Sequence, residues 1–175
     1  MEDWYVLYVR TGSEEKVKDL LTKLLDQNYH LPFIPMKAKI FRRHGVINKD
    51  NQICFPGYVF IKSKYRAHEF IKEVLPVVHK IKEAYLFLHY GDKYDVAMRE
   101  CEKKSMNNLL GSNFCIESSI GFIEGDAIRI ISGGLMWTES TIKKINRHKR
   151  EAIIEVNIMG DIRQVSVVLE VMEKI

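Results

Sequence analysis

Residues 54–62 read Cys54-Phe55-Pro56-Gly57-Tyr58-Val59-Phe60-Ile61-Lys62. An aromatic–Pro–Gly turn opens the stretch, and an apolar strand follows it. Pro56 fixes its own φ and Gly57 lets backbone pass close by, so the chain turns sharply before it pairs. Val59 and Ile61 alternate with Tyr58 and Phe60, so both faces carry apolar or aromatic side chains. That pattern belongs to a strand covered on both sides, at the centre of a sheet. Phe55 sits at the rigid entry, where an aromatic presents large area at low entropic cost and suits a contact role.

Upstream, Trp4 to Arg10 (WYVLYVR) predicts a strand with Tyr5, Leu7 and Val9 on one face and Tyr8 and Arg10 on the other. Ser13 is a candidate N-cap, and Glu14 and Glu15 suit the positive end of the helix dipole. Val17, Leu20, Leu21, Leu24 and Leu25 then recur at helical spacing, predicting a helix to about residue 28. Glu14 with Lys18 and Asp19 with Lys23 are four apart and form expected surface pairs. Pro32 and Pro35 make residues 30–41 an edge strand. Arg42 to Gln52 reads as a polar excursion, a long hairpin with a basic tip at Arg42, Arg43 and His44.

Downstream, 67–75 predicts a short helix stopped by Pro76, with His68 and Glu69 in its first turn. Residues 77–88 read as strand and 93–110 as helix. Residues 111–119 are small and polar, the best boundary in the chain. Beyond them the sequence reads as short strands: 127–131, 140–145, 152–158, 163–169 and 171–175. The β-branched residues there, among them Ile128, Ile130, Ile142, Ile153, Val165 and Val167, favour a small β-barrel over helix. The expected fold is α+β: an N-terminal antiparallel sheet with helices over 1–110, a linker over 111–121 and a β-barrel over 122–175.

The 175 residues carry a net charge of +4. Residues 1–121 hold 19 basic and 15 acidic side chains; residues 122–175 hold 8 of each. Within that neutral second part, KKINRHKR gathers Lys143, Lys144, Arg147, His148, Lys149 and Arg150 with no acid. A local cationic patch in a neutral module reads as a defined contact surface for phosphates. Tyr8 with Arg10 could stack a base and hold a phosphate, and Arg42 and Arg43 suit phosphate contact too. Each of these is equally readable as a solvated surface. The three cysteines, Cys54, Cys101 and Cys115, have neither disulfide nor zinc-site spacing and are expected to be buried thiols. There is no P-loop, G-x-S-x-G, H-x-x-x-H or Cys/His constellation, so no enzyme, metal or cofactor is expected. No apolar run approaches the ~20 residues that cross a bilayer. The acidic start at Glu2 and Asp3 does not suit a signal peptide. A cytoplasmic monomer without membrane contact is expected.

Three pieces in order resemble the NusG family of transcription elongation factors: Trp4-Tyr5-Val6-Leu7-Tyr8 with Gly12 before a helix; Phe55-Pro56-Gly57-Tyr58-Val59-Phe60; and Gly125-Asp126-Ala127-Ile128-Arg129-Ile130 with Gly133, similar to the start of a KOW motif. The ending, Ile158-Met159-Gly160 and then Val165 to Lys174, fits a KOW barrel. This resemblance implies an SH3-like KOW barrel and a first domain that docks on bacterial RNA polymerase, with Phe55, Pro56 and Tyr58 at the contact. Read from the strand alone, Tyr58 is core. Tyr8 and Arg10 would then face non-template DNA. The KOW domain would meet leader RNA, a ribosomal factor or a termination factor. Where a housekeeping KOW motif has glycines near 137 and 140 and a proline at 134, this chain has Trp137, Ser140 and Gly134. Those departures resemble the specialised RfaH-like and LoaP-like paralogues, which implies transcription antitermination at chosen operons. The alternatives are a general NusG-type elongation factor and, from another class, a ribosome-associated KOW RNA-binding protein.

Overall fold

The structure is a computed structural model that describes residues 2–124, 127–136 and 138–172, without the side chains of Arg42 and Arg43. Gly125 and Asp126 of the KOW-like motif, Trp137, and the closing Glu173, Lys174 and Ile175 lie outside the described residues. In chain order the elements are β1 (Asp3–Val9), α1 (Glu14–Leu24), β2 (His30–Phe33), β3 (Met36–Arg43), β4 (Val46–Ile53), β5 (Tyr58–Ser63), α2 (Ala67–Val78), β6 (Ala84–Phe87), α3 (Glu100–Leu110), β7 (Cys115–Ile116), β8 (Ser119–Glu124), β9 (Ala127–Ser132), a 3₁₀ turn (Glu139–Thr141), β10 (Ile142–Asn146), β11 (Glu151–Ile158) and β12 (Asp161–Met172). They form two compact units: residues 1–34 with 55–103, and residues 35–54 with 104–175.

The first unit is an antiparallel sheet in the order β2-β5-β1-β6. β5 is internal, as its two-faced apolar pattern predicts, and Val59, Phe60 and Ile61 are fully buried. Tyr5, Leu7 and Val9 point to the side of α1 and α2. The Tyr5 ring stacks on Phe70 at 3.5 Å between centroids, and its hydroxyl donates to the Tyr65 carbonyl at 2.8 Å. Burial raises the Tyr5 pKa well above the ordinary phenol value. The opposite face carries Trp4, Phe33 and Phe60, with Trp4 edge-on to Phe33 at 5.2 Å. Asp3, at the edge of this unit, accepts from Arg66 at 3.1 Å and from the buried Lys103 ammonium at 3.2 Å.

Several local expectations are corrected. α1 ends at Leu24, four residues short of the predicted end. Ser13 makes no capping bond; its hydroxyl accepts from Arg10 Nε instead. Lys18 pairs with Glu15 at 2.5 Å rather than with Glu14, because Glu14 turns inward. Pro76 does not stop α2, which runs two residues further. Val74 and Val78 lie one turn apart on the buried face, and burying Val78 draws the last turn into the helix despite the lost hydrogen bond. Only 84–87 of the expected 77–88 strand pairs. Only 100–110 of the expected 93–110 helix is helical, because the Met98 N–H bonds to the Trp4 carbonyl of β1 instead. Cys54 and Cys115 are buried, but Cys101 is exposed. Burial pushes the Cys54 thiol up to about 12 and raises that of Cys115.

In the second unit, β10-β11-β12-β8-β9 form the barrel. β12 is one twelve-residue strand where two are predicted, antiparallel to β11 over its first part and parallel to β8 over its last. Such a strand closes an SH3-like barrel by serving both halves. Residues 139–141 form a 3₁₀ turn in place of the start of the predicted strand. The 111–121 segment contains β7, which pairs with β3, and the first residues of β8. The polar excursion after Phe41 is also paired. β3 and β4 match residue for residue from Met36↔Ile53 to Arg43↔Val46. The connecting turn is His44-Gly45, both at positive φ, and such two-residue turns match strand twist and fix register. This hairpin belongs to the second unit, where Lys37 Nζ donates to the Ser166 carbonyl of β12 at 2.7 Å. No helix among the described residues is long and apolar enough to cross a membrane.

Candidate protein and nucleic-acid interfaces

Glu14 organises the turn that opens β5. Its carboxylate is buried, and it accepts from the Gly57 N–H at 2.7 Å and the Gly12 N–H at 2.8 Å. The Gly57 carbonyl in turn accepts from Val9 N–H at 2.8 Å. Gly57 has φ +86°, and a Cβ there would stand 3.2 Å from Thr11 Oγ1 and 3.5 Å from the Tyr8 ring. Only glycine fits that conformation without strain. Phe55, at the start of the turn, is 4% exposed, with its ring 6.1 Å from Phe60. Pro56 is exposed and Tyr58 half-buried.

The turn sets Tyr58 at one end of an aromatic row. The register pairs Tyr8 with Tyr58 on one side and with Leu86 on the other. Tyr8 lies 5.8 Å from the Tyr58 ring and 5.4 Å from the Tyr85 ring. Tyr8 is 41% exposed and Tyr85 50%, and Leu86 is exposed beside them. Tyr85 reaches this face because the β1–β6 register shifts between Tyr8 and Val9. Large, stiff side chains with polar tips, collected across three strands, are the chemistry of a protein contact surface.

Arg10, expected beside Tyr8, directs its guanidinium toward Ser13 Oγ at 3.2 Å and Glu83 Oε1 at 3.8 Å. The same Glu83 oxygen accepts from Lys16 at 2.6 Å, and that bond holds its carboxyl below the usual carboxylate range. Arg10 thus offers a partly neutralised charge.

In the second unit, Lys143 and Lys144 lie on β10, and Arg147 to Arg150 form the tight turn into β11. All six predicted cationic side chains of this segment are exposed. Two have acidic partners: Lys143 with Glu155 and Arg150 with Glu170, each at 3.4 Å. Among the described residues, Lys144, Arg147 and Lys149 have no ion pair. The Asn146 side chain accepts from Lys149 N–H at 3.1 Å and shapes the turn. Arg42 and Arg43 have described backbone in β3, but their side chains lie outside the described atoms.

Two features escaped the sequence. Glu14 looked like a helix-dipole residue, and nothing local shows that it reaches a glycine 43 positions on. Tyr85 joins Tyr8 only through a register shift, which periodicity does not announce.

Residues 2–107 match the family described as transcription termination factor NusG. The chain belongs to the NusG family. It is 28% identical over 171 residues to the transcription termination/antitermination protein NusG of Thermus thermophilus, covering 90% of each chain. A solved structure described as "Domain interaction in Thermotoga maritima NusG" shares the fold, with a TM-score of 0.57, 24% identity, and coverage of 97% of this chain and 94% of that one. Proteins of this family are non-enzymatic transcription factors that interact with RNA polymerase, and the barrel of the second unit is the KOW-like module.

Proposed function

We propose that this protein is an operon-directed antiterminator of the specialised NusG branch. Its first unit docks on bacterial RNA polymerase through Tyr8, Tyr58, Tyr85 and Leu86, with Pro56 at the margin. Its KOW module meets nucleic acid through the 143–150 segment. The observation that carries this reading is the solvent-facing tyrosine row, supported from behind by the turn that Glu14 holds. Phe55 is buried, so its part here is to back the turn while the tyrosines make first contact. Phe55→Ala would remove core packing, which makes Tyr8 the cleaner probe.

Binding that favours one polymerase state shifts the balance between elongation and termination. A few kcal/mol of differential affinity suffices. Tyr8 is exposed and can stack an unpaired base, so non-template DNA is a second ligand of this reading. The uneven charge of the KOW module supports leader RNA as the recruiting element.

The test is in vitro transcription by a bacterial polymerase through an intrinsic terminator, on generic and leader-bearing templates. Read-through is expected on particular leaders only, and Tyr8→Ala is expected to abolish it, because losing a buried aromatic anchor costs ~2 kcal/mol or more. Equal read-through on every template would instead mark a general elongation factor. No effect on any template would leave this reading without support.

A further inference from the structure

The β3–β4 hairpin and the basic turn of the barrel, both in the second unit, enclose a cleft of about 520 Å³. One wall is β3 with Ile47 of β4: Lys37, Lys39, Ile40 and Phe41 line it. The other wall is His148, Lys149 and Arg150, and Ser166, Val167 and Val168 of β12 complete the lining. The Lys37–Ser166 hydrogen bond ties the walls together at the base. Phe41 is 38% exposed, and Ile47, also in the lining, is exposed too. Among the described residues, Glu151 is the one carboxylate in the lining. Lys39 and Lys149 have no ion pair among the described residues.

An aromatic ring inside a cleft rimmed by cations is the arrangement that takes an unpaired nucleotide: the base stacks on the ring and the flanking phosphates meet the ammonium groups. The volume falls in the range that encloses one small-molecule-sized group. It therefore suits a splayed base with its sugar, and a duplex, whose bases are stacked away inside, would present only its backbone here. We propose that this cleft is a binding site for a single-stranded polynucleotide, with Phe41 as the stacking platform and Lys39, Lys149 and Arg150 as phosphate contacts. The hairpin thereby completes a site that the barrel turn begins. This inference rests on the reading of the KOW module as a nucleic-acid contact and narrows it to one strand, one ring and one cleft.

The test measures fluorescence anisotropy of the full chain with a labelled single-stranded RNA of about a dozen nucleotides. The same strand as DNA, the RNA duplex and an acidic peptide serve as parallel probes. Phe41→Ala and Phe41→Leu should each weaken single-strand binding by about tenfold, and Phe41→Trp should preserve it. Lys39→Gln and Lys149→Gln should each weaken it and lower the salt slope by about one. Circular dichroism of each variant confirms that the chain remains folded. Comparison of the RNA and DNA strands assigns the sugar, and tighter binding of either single strand than of the duplex supports the site. Loss of binding on Lys143→Gln or Lys144→Gln, with Phe41 and Lys39 variants silent, would overturn the cleft and leave the barrel strand as the contact. Preference for the duplex or the peptide would overturn it as well. Absence of any nucleic-acid binding would overturn both the cleft and the broader reading.

Discussion

Gly133→Ala is expected to destabilise the barrel by roughly 3 kcal/mol or more, at the diagnostic end of single-substitution effects. Gly133 has φ +97°, in the region that side chains rarely adopt. An added Cβ would overlap the Ser118 carbonyl oxygen and stand 2.5 Å from Ser119 Cα and 2.7 Å from Ser119 Oγ. Two of these three atoms are backbone, so no rotamer change relieves the overlap. The Ser119 hydroxyl is also the acceptor for Leu135 N–H at 2.9 Å, and both residues are fully buried. Moving Ser119 would break that bond and disturb the first pairs of β8 with β12 at once. Urea unfolding of the full chain, followed by circular dichroism, checks this; a loss under ~0.5 kcal/mol, the range of ordinary surface changes, would contradict it.

The second large effect is expected at Glu14. Its carboxylate satisfies two backbone N–H groups, and the bond to Gly57 is fully buried. Glu14→Ala leaves both donors without that acceptor, and an unsatisfied buried donor costs about 1–3 kcal/mol. Gly12 is exposed and water can replace its partner, so the loss comes mainly from Gly57 and is expected at about 1–3 kcal/mol. Glu14→Gln keeps one acceptor oxygen but turns an NH₂ toward the other N–H, so about half the loss should return. The consequence for function is local. With the Gly57 turn released, Tyr58 loses its fixed place next to Tyr8, and polymerase affinity should fall further than the stability loss alone explains at temperatures where the chain stays folded. Denaturant unfolding with a binding measurement on the same two variants separates the two effects. Glu14→Ala unfolding at the wild-type midpoint would refute the anchoring role.

The sequence was most legible where one pattern had one cause. β5 is apolar on both faces because it is covered on both sides, and it lies inside the sheet, next to β1, where that pattern places it. The SH3-like barrel follows from short β-branched runs with glycine turns between them. Legibility failed where distant residues decide. Pro76 is a local helix breaker, yet burial of Val78 outweighs it. β4 (VINKDNQI) has poor strand composition, but the His44-Gly45 turn sets its register and β3 supplies a full partner. An exposed polar strand also carries no mark of its neighbours, so the association of the hairpin with the barrel, and with it the cleft around Phe41, was invisible. Among the candidate contact residues, Tyr8 and the 143–150 cations were readable because exposure and charge are local properties. Glu14 and Tyr85 were not, because their positions depend on a turn and a register shift.

The most direct measurement is the affinity of the full chain for bacterial RNA polymerase, compared among wild type, Tyr8→Ala and Tyr85→Ala, with thermal unfolding run in parallel. Both tyrosines are substantially exposed, so their removal should leave stability nearly unchanged. Tight wild-type binding is expected, weakened by at least about tenfold in each variant. Polymerase binding of unaltered strength in both variants would contradict the tyrosine row as the docking face.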